Sequence, residues 1–146
     1  MPLKGMKKVK RAVLSLSAER NNHIKAVYLD GLGKIISGTP ADTGRARNNW
    51  FLSVGSPSSS TTTNTGDGQK ITLPDNVLNQ KIYLTNNLPY IGTLEYGGFP
   101  DPVKKGSYIK KSKSYEKLSS GGFSKQAPNG WVRKTLIKMQ NKIRSL

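Results

Sequence analysis

Ile35-Ile36-Ser37-Gly38-Thr39-Pro40-Ala41-Asp42-Thr43-Gly44, with Trp50-Phe51-Leu52-Ser53-Val54 close behind, is where this chain changes its period. Upstream, Val9, Val13, Leu16, Ile24, Val27, Tyr28, Leu32, Ile35 and Ile36 recur at spacings of three and four, which predicts one apolar stripe on a helix from about Leu3 to Ile36. Gly31 and Gly33 each weaken its last turns by about 1 kcal/mol relative to alanine. Gly38 supplies a C-cap, and Pro40 biases Thr39 away from the helical region, so the helix stops there. Asp42-Thr43-Gly44 reads as a tight turn, and Trp50–Val54 as a strand.

Beyond that strand, residues 55–69 are a polar, low-complexity connector rich in Ser, Thr and Gly, expected as a projecting hairpin tip or a flexible loop. Lys70–Leu73 reads as a short strand, Pro74-Asp75 as a turn, and the residues through Gln80 as a helical turn or loop. Lys81–Asn86 alternates as a second strand. Asn87–Tyr96 places Tyr90, Ile91, Leu94 and Glu95 on a short helix with Pro89 near its start, and Gly97-Gly98 stops it. Residues 98–124 read as a long lysine-rich loop. From Ala127-Pro128 a last helix carries the stripe Trp131, Thr135, Leu136, Met139 and Ile143. The expected fold is α+β: a long N-terminal helix and a C-terminal helix packed on a small, mostly antiparallel sheet with long projecting loops. One domain, 1–146, divides into a basic helix (1–37), the sheet and short helix (38–97), the loop (98–124) and the C-terminal helix (125–146).

With 146 residues and 34% hydrophobic content, the core is expected to be modest, and self-assembly is a common way for such a domain to complete its stability. The absence of Cys excludes disulfides and thiolate metal sites and suits a reducing cytosol. No stretch approaches the roughly 18 apolar residues of a membrane span. The basic start is followed by Glu19, Arg20 and Asp30, so a secretory signal is not expected. The net charge of +16 is carried by the ends and by the 98–124 loop, while 38–97 is balanced. Such a periphery serves DNA phosphates, an acidic protein surface or solubility alone; an acidic protein partner is the favoured reading.

Catalytic constellations are hard to assemble from these residues. His23 is the single histidine, beside Asn21, Asn22 and Lys25, and reads as a surface residue rather than a base or a metal ligand. Asp42 with Glu95 is the one carboxylate pair in an aromatic and glycine context. The structural alternative has Asp42 capping a turn and Glu95 paired with Arg45 or Arg47, and it is preferred. No glycine pattern cradles a phosphate. No catalytic residue, metal or cofactor is expected. Tyr108 and Tyr115, interleaved with Lys104, Lys105, Lys110, Lys111 and Lys113, resemble a stacking-plus-charge surface, or a loop ordered by a protein partner.

Three blocks occur in order: Thr39-Pro40-Ala41-Asp42-Thr43-Gly44 running to Trp50; Thr85-Asn86-Asn87-Leu88-Pro89-Tyr90-Ile91-Gly92-Thr93-Leu94-Glu95-Tyr96-Gly97; and Ser124-Lys125-Gln126-Ala127-Pro128-Asn129-Gly130-Trp131-Val132-Arg133. This order resembles the tail-completion, or neck, proteins of tailed double-stranded DNA phages, also described as minor tail components. The family pattern pairs a long basic N-terminal helix with a T-P-x-D-T-G turn, an N-x-x-P-Y-x-x-x-x-E-Y-G block and an A-P-x-G-hydrophobic-R block. The loop 98–124 departs from it, since the family often runs almost directly from E-Y-G to the A-P block. The resemblance implies a virion protein of the head–tail junction, assembled in the host cytoplasm. It implies a ring of copies of itself, six being the expected number, between the head connector or head-completion ring and the tail-terminator or tail-tube proteins, with packaged DNA passing through the lumen. The motif residues are then fold determinants first. The basic ends and the loop supply partner contacts: Lys7, Lys8, Lys10, Arg11, Lys104, Lys105, Tyr108, Lys110, Lys111, Lys113 and Tyr115.

Overall fold

The computed structural model describes residues 5–98, 107–109, 114–116, 121–124 and 126–146. The first element, α1 (Met6–Gly38), is a 33-residue helix, a rod of about 50 Å at 1.5 Å per residue. It continues unbroken through Gly31 and Gly33. Gly31 is buried where Met139 of the last helix crosses, and a side chain there would run into the methionine sulfur. The residue that weakens the helix locally is what lets the two helices approach.

A one-turn helix, α2 (Arg45–Asn48), follows where only a turn was expected. Strand β1 (Trp50–Val54) then pairs antiparallel with β2 (Ile82–Asn86), from Trp50 opposite Asn86 to Val54 opposite Ile82. Next come α3 (Ile91–Tyr96), the hairpin of β3 (Ser107–Ile109) with β4 (Ser114–Glu116), and α4 (Val132–Arg144). The fold is α+β, with the long N-terminal helix, the C-terminal helix and a small antiparallel sheet as expected.

α4 lies along the C-terminal half of α1. Leu32, Ile35 and Ile36 of α1 meet Trp50, Leu94, Trp131 and Met139 in one cluster, against which Leu52, Ile82 and Leu84 of the sheet pack. Each fully buried aliphatic or aromatic side chain is worth about 1.5–3 kcal/mol relative to exposure. On the outside, Asp30 is shared by Lys34 and Lys142 at 3.0 and 3.2 Å, an exposed arrangement that contributes little.

Four expectations need correcting. The last helix opens at Val132 and not at Ala127-Pro128, because Gly130 N donates to Ala127 O at 3.2 Å and closes a turn that leaves Gly130 at φ +78°. Lys70–Leu73 forms no strand: Leu73 is buried and Ile71 half-buried, so side-chain burial rather than a backbone ladder holds the segment. Residues 98–124 are not loop throughout, because β3 and β4 form a hairpin within them. Residues 55–69 do not project from the body. Asn49 accepts from Thr62 N and donates to Thr62 O, both at 2.9 Å, while Asn87 Nδ2 donates to Ser58 O and Ser60 O. Gln69 Nε2 donates to Asn48 O at 2.7 Å. Carboxamides carry a donor and an acceptor and so replace backbone partners; a segment with nothing apolar to bury is held by hydrogen bonds instead.

The apolar stripe of α1 is used only in part. Contact with the body begins at Asn21, whose side chain donates to Asp75 O at 2.8 Å and accepts from Val77 N at 2.7 Å. Residues 5–20 are exposed, Val9, Val13 and Leu16 among them. An isolated helix of that length is marginal in water. Amide hydrogen exchange is therefore expected to be roughly 100-fold or more slower at 24–36 than at 6–18 in the free protein; equal protection along α1 would contradict this division.

Candidate functional site

The three sequence blocks converge at the C-terminal end of α1. Thr39, the helix C-cap, is fully buried, and its hydroxyl donates to Ile35 O at 2.8 Å while accepting from Trp50 Nε1 at 2.8 Å. Trp131 Nε1 donates to that same Ile35 carbonyl at 2.8 Å. The last carbonyls of a helix lack intrahelical partners, and here the Trp131 indole and the Thr39 hydroxyl supply them to Ile35 O, with Trp50 orienting that hydroxyl. Arg47 Nε donates to Thr39 O at 3.0 Å. Pro40 is buried, while Asp42 and Thr43 are exposed, with Thr43 Oγ1 accepting from Arg45 N. Gly44, at φ +83°, lies against the backbone of Gly66. Gln126 closes the junction by accepting from Ala41 N at 2.9 Å and donating to Ala41 O at 3.1 Å.

The second block ties the sheet to this junction. Asn86 donates to Ala46 O at 2.9 Å and accepts from Leu88 N. Glu95, buried on α3, reaches the start of α4: Oε2 accepts from Trp131 N at 2.8 Å and Val132 N at 2.9 Å, and Oε1 accepts from Arg133 N at 3.0 Å and Arg133 Nε at 2.9 Å. Arg133 Nη2 also donates to Glu95 O, and the guanidinium sits 4.5 Å from the centre of the Tyr96 ring. A helix N-terminus presents free N–H groups and a partial positive charge, and Glu95 supplies the anion from another helix. Gly130, with φ +78°, passes so close to Glu95 that a Cβ would meet its carbonyl and carboxylate oxygens. Ala127 is buried beneath this turn and Pro128 is exposed on it.

Burial pushes the Glu95 carboxyl upward, but the N–H groups of Trp131, Arg133 and Val132 and the Arg133 guanidinium together outweigh it, so its pKa lies below the ordinary glutamate value. The expected partner was Arg45 or Arg47; it is Arg133. The sequence distance hid this, because only the docking of α3 on the α4 terminus brings residues 95 and 133 together. Both oxygens of Glu95 are engaged as acceptors, which suits a cap rather than a proton carrier. Burial raises the Tyr90 hydroxyl above its ordinary value against the opposing charge of Arg45. Tyr90 and Tyr96 remain 38% and 65% exposed, so neither is a core residue.

His23 is exposed on α1. Among the described residues no group of three His, Asp or Glu side chains could hold a metal, and no helix is long and apolar enough to cross a membrane. A shallow hollow of about 420 Å³ between α1, β2 and α4 is lined by Tyr28, Leu32, Ile82, Leu84, Leu136 and Met139. Of the expected contact residues, Lys7, Lys8, Lys10 and Arg11 stand exposed on the free half of α1. Tyr108 and Tyr115 are cross-strand neighbours in β3–β4. Lys104, Lys105, Lys110, Lys111 and Lys113 lie outside the described residues.

Thr39, Asn49 and Gln126 lie within the ordered blocks, but their part as hydrogen-bonding hubs was not read from them. Asn48-Asn49 directly before Trp50 was the available signal: amides beside a large apolar residue are placed to satisfy buried backbone. Compared with protein-family models, curated proteins and solved structures, the chain matches none. Its surface and its internal joints are therefore the basis for a functional reading.

Proposed function

We propose that this chain is a structural subunit of a tailed-phage neck, part of a ring that completes the tail end and joins it to the head connector. The observation that carries the reading is the meeting of the three ordered blocks in one joint. Thr39 with Trp50, Asn86 with Ala46, and Glu95 with Trp131 and Arg133 hold the helices and sheet together. Motif residues that serve as joints leave the function to the surface, where the described residues offer a basic, partly apolar helix and the β3–β4 hairpin. Lateral contacts between copies close the ring, and repetition around an axis makes modest individual interfaces sufficient.

Particles made without the subunit are expected to accumulate as filled heads and separate tails, and labelled subunit is expected at the head–tail junction; its absence from assembled particles ends the reading. A finer test follows from Gly98 N, which donates to Gly121 O at 2.7 Å and so brings the ends of the intervening segment side by side. Excising 100–119 with a short link is expected to leave a folded protein, with Tm changed by less than about 5 °C, that fails to join heads to tails.

The +16 charge favours a second reading, a protein acting on duplex DNA. That reading requires tight binding that falls by about 10³-fold or more between 50 and 200 mM salt. Weak binding at low salt that mutation of single lysines barely changes fits a neck subunit whose lumen merely passes DNA.

A further inference from the structure

We infer that the free half of α1, residues 6–20, is a docking helix for an acidic protein. An apolar groove of that partner takes Met6, Val9, Val13 and Leu16, and carboxylates on its walls meet Lys8 and Lys10. The inference deepens the neck reading by naming what the basic end of the subunit grips, and it rests on that reading only for where the partner is found.

α1 carries two apolar segments separated by a polar collar, Glu19-Arg20-Asn21-Asn22-His23. Behind the collar Ile24, Val27 and Tyr28 pack against the core. Ahead of it Met6, Val9, Val13 and Leu16 are 49, 63, 55 and 65% exposed, and they extend about 22 Å of helix from the pin at Asn21. Core stripes are buried by definition, so a second stripe beyond the collar has a separate use.

Spacing and charge choose the occupant. Positions 6, 9, 13 and 16 follow a three-four-three rhythm, the narrow seam of helix-in-groove or coiled-coil contacts. A helix immersed in a membrane surface presents a wide apolar face rich in Trp, Phe or Leu; residues 6–20 have no Trp or Phe, and of their two leucines only Leu16 lies on the narrow seam. Duplex DNA would use Lys7, Lys8, Lys10 and Arg11 but leave the seam in water. A second copy of a +16 chain brings like charge against like. Residues 5–18 hold these cations and no acid; Lys10 flanks the seam directly, and Lys8 lies about 120° round the helix from its centre on the opposite side. Their long stems let the ammonium groups reach the rim of a groove occupied by the seam. An acidic protein surface with an apolar floor satisfies both halves at once.

The test uses the full chain and a labelled acidic zipper peptide, with Leu at positions a and d and Glu at e and g, in about 0.15 M salt. Binding in the micromolar range is expected, weakened about tenfold or more by Val13→Asp and by Leu16→Asp. Leu14→Asp makes the same change of charge off the seam, at a residue 70% exposed, and is expected to stay within about threefold of wild type. All three sites are exposed, so the variants fold. Equal loss in all three variants, or none, overturns the inference in favour of undirected charge attraction. Binding of phosphatidylserine vesicles but not of the peptide overturns it in favour of a membrane, and self-association through the seam without peptide overturns it in favour of a second copy. These outcomes are separate from the neck reading, which is decided by the presence of the subunit in particles whether or not the peptide binds.

Discussion

Trp131→Ala is expected to lower the stability of this protein by about 4 kcal/mol, close to the upper range for removing a buried aromatic side chain. Trp131 is 8% exposed, lies against Gly38 at the end of α1, and donates to Ile35 O. Its loss removes the wedge that joins α1 to α4 and leaves a cavity bounded by helices that cannot easily close it. Domains of this size have roughly 5–15 kcal/mol in total, and a shift in Tm of about 10–15 °C follows. Trp131→Phe separates packing from hydrogen bonding. Ile35 O keeps its bond from Thr39 Oγ1, so no buried acceptor is left unpaired and the cost falls to about 1 kcal/mol. Thermal unfolding of both variants checks the pair; similar losses for Phe and Ala would mean that the wedge is not what matters.

Glu95→Ala is the second large effect, about 3 kcal/mol. It strips acceptors from Trp131 N, Val132 N and Arg133 N and leaves the Arg133 guanidinium without its carboxylate. Glu95→Gln keeps one oxygen acceptor but places an NH₂ beside backbone donors, and about 2 kcal/mol is expected. The charge also predicts a pH dependence. The carboxyl titrates below its ordinary value in the folded protein, so the folded state binds fewer protons than the unfolded chain in the acid range. The stabilisation is complete above the unfolded value of about 4.3 and is lost as pH falls through the lowered folded value. Wild type should therefore lose Tm more steeply than Glu95→Gln between about pH 5 and pH 3; parallel profiles would show that another group governs acid stability.

The parts of the fold legible in sequence are those with a periodic signal. Three-and-four spacing announced α1 and α4, and alternation announced β2. Thr39-Pro40 marked the end of α1 to within a few residues. What escaped had polar causes. α2 is a single turn held by Asn48 Nδ2 donating to Gly44 O, and four residues are too few to show a period. Residues 55–69 looked unanchored because their anchors, Asn49 and Asn87, belong to other segments. The joint at Glu95 was half legible: its residues were singled out, but as a possible pair with Asp42 or with Arg45 and Arg47. Only the tertiary arrangement couples a carboxylate on one helix to the amides that open another. The exposed half of α1 marks the limit of the periodic signal itself. Its periodicity is real, but periodicity says which residues share a face and not what covers it.

A helix held along one half and bare along the other is a cantilever. From Asn21, where Asp75 and Val77 hold it, a bend of 10° would sweep the tip of α1 through about 4 Å. The held half runs on to Ile35, which Trp131 grips, and to Thr39, which Trp50 grips. A partner that seizes Met6 and tilts the held half as well is expected to shift the Trp fluorescence; an unchanged spectrum would mean that the bend stops at Asn21.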